Sequence, residues 1–110
     1  MPYDGYIPPS ITPTVGSNTV ITTGGTSLLV FPAGCYGGYI TNPLFSTDQD
    51  LVTAEALFID PTGECGLAGY GTTIRLEPGQ TWIVPAPKST LAVWANAATS
   101  GHRFTAVYWT

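Results

Sequence analysis

The single histidine, His102, stands beside Arg103 in "SGHRFTAVYWT" at the end of the chain. As a general base it would need an activated nucleophile and an orienting carboxylate within hydrogen-bond reach. No local motif supplies either one. Just after Gly101, at the start of an expected strand, His102 reads as a turn or edge residue, and the chain is expected not to be an enzyme. Asp48 and Asp50 in "STDQDL" match the first positions of a calcium loop, yet the glycine and distal glutamate that complete such a loop are missing. A solvated loop is the expectation there. Glu55, Glu64 and Glu77 show no pairing that spacing alone reveals. "GLAGYGTT" has three glycines, but not at dinucleotide-binding spacing, and it leads into a strand where a helix would be required. Cys35 and Cys65 leave two readings open. They are either buried thiols or one disulfide, which would stabilise by about 3 to 4 kcal/mol through loop closure. With no C-x-x-C and one histidine, neither a metal site nor a cofactor is expected.

Composition sets what must position these groups. The chain has 110 residues, enough for one domain with a modest core. Charged residues are only 9%, against about a quarter in typical domains. The surface must therefore be largely Thr, Ser, Gly, Tyr and small apolar groups, which defend it poorly against association. Net charge is −4, and the three cations Arg75, Lys88 and Arg103 are scattered. Nucleic acid is not an expected partner, because phosphate neutralisation needs clustered Lys and Arg. A membrane is not expected either, since no apolar run approaches the ~20 residues of a spanning helix. "MPYDGYIPPS" lacks the basic start and apolar core of a signal peptide, so synthesis in a cytoplasm is expected.

Punctuation is dense and helical signals are nearly absent. Residues 1–14 carry prolines at 2, 8, 9 and 13, which fix φ and remove backbone donors, so this stretch reads as an extended arm. Tyr3, Tyr6, Ile7 and Ile11 are its candidate anchors. Residues 15–110 read as one β domain. "TSLLVFP" is a short strand ended by Pro32. In "CYGGYITNP", Tyr39 and Thr41 alternate with Ile40. "EALFIDPTG" puts Leu57 and Ile59 on one face and Phe58 on the other. "TTIRLEPGQTWIVP" reads as a hairpin-like element, with Ile74 and Leu76 inward, Arg75 and Glu77 outward, and Pro78-Gly79 at the centre of a type II turn. "TLAVWANAA" and "HRFTAVYW" complete the set. Six to eight such strands predict an all-β fold, an antiparallel β-sandwich or jelly-roll-like barrel with an extended Pro-rich N-terminal arm.

The aromatic residues are spread over the strands, and a sandwich of this size can bury only some of them completely. In "FTAVYWT", Phe104, Ala106 and Tyr108 alternate with Val107 and Trp109, so both faces of the strand are apolar. A strand covered on two sides has this pattern, by the core on one and on the other by a partner or by a second sheet or long loop of the same chain. Trp94, Tyr108 and Trp109 are the candidate subunit-interface residues.

The stretch "TTIRLEPGQTWIVPAPKSTLAVWANAATSGHRFTAVYW" resembles small virion structural proteins of tailed bacteriophages, including head decoration (cement) proteins. The likeness lies in the "RLEPGQ" turn, the aromatic strand after it and the "VWANAATSGHRFTAVYW" ending. "YGGYITNP" and "LFIDPTG" match more loosely, and the whole spans roughly residues 20–109. The resemblance implies a β-sandwich with a structural role on the outside of a capsid, its partners the major capsid protein and other copies of itself. A trimer is the expected oligomer, because capsid lattices offer three-fold positions. The arm would add avidity across neighbouring lattice sites. The competing expectation is a tail, neck or fibre component that binds a receptor or glycan through exposed aromatics.

Overall fold

The computed structural model describes residues 12–44, 55–84 and 92–110, and in these it contains eight strands and no helix. They are β1 (Pro13–Val15), β2 (Leu28–Phe31), β3 (Gly38–Thr41), β4 (Leu57–Asp60), β5 (Ile74–Leu76), β6 (Thr81–Val84), β7 (Val93–Asn96) and β8 (Thr105–Trp109). One sheet has the order β1-β8-β3-β6 and the other β2-β7-β4-β5, with every pairing antiparallel. The expected β-sandwich is thus present, and the strand order is that of a jelly roll. Its logic is nested: β4 pairs with β5, β3 with β6, β2 with β7 and β1 with β8. The first four strands and the last four therefore form one long ribbon, folded so that alternate stretches fall in opposite sheets. The expected arm lies almost wholly outside the described residues, as do Tyr3, Tyr6, Ile7 and Ile11. Its last residues enter the sandwich, because Pro13 and Thr14 lie in β1, at the sheet edge where a residue without a backbone donor is tolerated.

Alternation decides what fills the space between the sheets. Ile40 from β3, Val84 from β6 and Ala106 from β8 meet Leu57 and Ile59 from β4, Leu76 from β5 and Val93 and Ala95 from β7. Phe31 is wholly buried and packs on Tyr108, ring centroids 5.4 Å apart. One expectation is corrected. β5 and β6 do not form a hairpin, for they lie in different sheets. The turn itself is as expected, since Gln80 N–H donates to Glu77 O at 3.0 Å and Gly79 has φ +88°. Ile74 and Leu76 enter the core from one side, Trp82 and Val84 from the other. Burying both apolar sets therefore requires the turn to change layers, which a hairpin could not do.

Gly38 shows how closely the layers' own strands approach. It lies in β3 between β6 and β8, and a Cβ there would overlap the Val107 carbonyl oxygen and crowd Tyr108.

Candidate functional site

Two places in the fold concentrate what the chain has to offer. The first is a buried polar node at one end of the sandwich. His102 stands at a turn as expected, its N–H donating to Thr99 O at 3.4 Å, but at 1% exposed it is buried and not an edge residue. It follows the turn at Gly101 and precedes β8, but its ring is directed inward. Nε2 lies 2.8 Å from Asn42 Oδ1, and Nδ1 lies 2.8 Å from Glu55 Oε2. Asn42, also fully buried, donates from Nδ2 to Glu55 O at 2.9 Å and to Leu76 O at 3.0 Å. Thr99 Oγ1 donates to the other Glu55 oxygen at 2.6 Å. Burial alone would raise the Glu55 carboxyl, but the hydrogen bonds from His102 and Thr99 and the His102 charge outweigh it and hold the group below its ordinary value. Both ring nitrogens of His102 are thus engaged by side chains of the fold.

A second anchored carboxylate, Asp60, closes β4. Its Oδ1 accepts from the Thr62 amide at 2.8 Å and the Thr62 hydroxyl at 2.7 Å. Its Oδ2 accepts from Thr72 at 2.9 Å and Thr73 at 3.0 Å. Burial would push Asp60 up, and these four donors hold it below its ordinary value instead. The connection from β4 to β5 then folds back over the outside of its own sheet. Cys65 N–H donates to Ser27 Oγ, and Asn96 Nδ2 donates to Cys65 O, both at 2.8 Å. Beneath it Ala56, Phe58 and Cys65 form a second apolar cluster, with Trp94 against it. Of the two cysteine readings, the buried thiols are found: Cys35 sits in the main core and Cys65 in this second cluster, both free. Burial, with the nearby Asp60 charge, pushes the Cys65 thiol up to about 12. Among the described residues no three His, Cys, Asp or Glu side chains are grouped to hold a metal ion.

The other sheet presents its outer face differently. Val15 on β1 is directly opposite Val107 on β8, Val107 opposite Tyr39 on β3, and Tyr39 opposite Ile83 on β6. These four residues make one row across all four strands, roughly 14 Å from first to last strand. Val15 is 68% exposed and Ile83 69%. Beside that row runs a second, Thr105, Thr41 and Thr81, with the Thr41 and Thr81 hydroxyls 2.8 Å apart. On the other side Trp109 is opposite Pro13 and meets Tyr39 at a ring distance of 6.5 Å. None of the four strands contains a charged residue.

The three expected interface residues therefore do not share a surface. Trp94 lies under its own chain's β4–β5 connection, and Tyr108 packs on the core. Trp109 alone is on the charge-free face. Val15, Tyr39 and Ile83 were missed there, although "TWIV" is apolar on both faces, the same signal that singled out "FTAVYW".

No family model, curated protein or solved structure matches the chain.

The node around His102 ties strand ends of the two sheets together. The outer face of β1-β8-β3-β6 offers apolar and hydroxyl groups in register, suited to docking against another surface.

Proposed function

We propose that the chain is a structural virion subunit, a decoration or cement protein that binds the outside of the major capsid protein lattice of a phage head and stabilises it. The observation that carries this reading is the row Val15, Val107, Tyr39, Ile83, an exposed apolar face with no charge on its strands. A protein with so little charge must cover such a face to remain dispersed, and rows of this kind mark docking surfaces. The opposite sheet meets the same need with its own β4–β5 connection. The likeness of the C-terminal half to phage decoration proteins supplies the kind of partner. In this reading the protein is not an enzyme, copies associate as trimers on the particle, and the arm at residues 1–14, with Tyr3, Tyr6, Ile7 and Ile11, extends the contact to neighbouring lattice sites. A glycan-stacking platform is less well supported, because Tyr39 and Trp109 meet at 61° where a sugar face would need co-planar rings.

The test is co-sedimentation of the purified protein with mature capsids that lack it, scored for saturation and for the temperature at which heads rupture. Saturable binding with a higher rupture temperature is expected. Absence of binding would sink the cement role and turn attention to the neck, tail or fibres.

A further inference from the structure

The donor and acceptor count around His102 leads to a conclusion independent of what the outer face binds. Asn42 Nδ2 donates to two carbonyls, so its Oδ1 is an acceptor, and Nε2 of His102 must carry hydrogen to meet it. Nδ1 then faces a Glu55 oxygen at 2.8 Å, and one hydrogen has to lie between them. A neutral ring with hydrogen on Nε2 and an ionised Glu55 would set two lone pairs against each other. With Glu55 ionised, the hydrogen sits on Nδ1 and the ring is an imidazolium.

We propose that Asn42, Glu55 and His102 form an ionic clasp between the two sheets, shut while Glu55 is ionised and released when acid protonates it. The clasp gathers the ends of both layers: Asn42 follows β3, Glu55 precedes β4, Leu76 ends β5, and His102 leads into β8. Protonating Glu55 leaves a buried cation without its counter-charge, the arrangement that destabilises a fold most when half of a buried pair is lost. The direction follows from linkage. A carboxylate held below its ordinary value of 4.5 contributes stability that is complete above that value and disappears as pH falls through its folded-state value. Among the described residues the groups facing the pair are few. Thr99 supplies a hydroxyl to Glu55, and Leu76 a carbonyl to Asn42. Arg103, next in the chain, is exposed, and Glu77, after Leu76, is exposed and paired with Arg75. Asp48 and Asp50 lie outside the described residues.

Because the chain has one histidine, a single imidazole spin system reports the clasp in the unaltered protein. Nitrogen-15 spectra of that ring at neutral pH are expected to show hydrogen on both Nδ1 and Nε2. Hydrogen on only one nitrogen would overturn the proposal. Unfolding of the full chain and of Glu55→Gln between about pH 7 and about pH 3.5 gives the second reading. The unfolding equilibrium constant of the unaltered chain should rise by a larger factor than that of the variant, because only the unaltered chain has at this position a carboxyl that takes up its proton more readily unfolded than folded. Parallel acid limbs would show that Glu55 is not the trigger. Should the variant fail to fold, the ring spectrum still decides.

Discussion

The side chains that brace this protein are polar ones in an apolar setting. Asp60 and His102 each have all their hydrogen-bonding capacity met by partners, and no buried side-chain nitrogen or oxygen among the described residues lacks one. Removing such a group leaves its partners stranded. Asp60→Ala frees three threonine hydroxyls and an amide at once, and is expected to cost about 3 kcal/mol, measured by urea unfolding. Asp60→Asn should keep the shape but flatten part of the acid limb. The reason is that the stability from a carboxylate held low is present above its ordinary value and lost as pH falls through the folded one. Cys65 gives a separate check. With its thiol pushed up to about 12 and buried, it should resist alkylation at pH 8 in the folded protein and react only after denaturation.

At the level of strands, the pattern of alternation made most of the structure legible beforehand. Ile74 and Leu76 face the core as expected, and Leu57 with Ile59, like Ala106 with Tyr108, share a face as their spacing implied, because a period of two is a local property of the backbone. Pairing is a non-local property, and there the reading stopped. A type II turn at Pro78-Gly79 is compatible with a hairpin or with a change of sheet, and only burial on both sides selects the second. The same limit hid the clasp, since His102 finds its partners 47 and 60 residues away. Close strand packing carries a prediction of its own. Gly38→Ala would drive a methyl into the β8 backbone and is expected to destabilise by about 1 to 3 kcal/mol, read as a lowered midpoint of thermal unfolding.

For the molecule as a whole, the two outer faces contrast. One is roofed by Cys65 and its neighbours, and the other is an open, uncharged row. Ile83→Glu places a charge at the β6 end of that row, at a position 69% exposed. Unfolding should shift by no more than about 0.5 kcal/mol, as for ordinary surface changes. Capsid co-sedimentation should fall at least tenfold, because a charge buried at an interface without a partner is costly. Equal binding by the variant would exclude this face from the contact. The nested ribbon has a consequence in time as well as in space. β4 and β5 have the fewest residues between them of any two paired strands, whereas β1 must wait for β8, whose residues are synthesised last of the eight strands. Folding is expected to zip outward from β4–β5, each enclosed pair shortening the loop that the next must close. Pulsed hydrogen exchange during refolding should therefore protect the amides of β4 and β5 first and those joining Thr12 to Thr110 last.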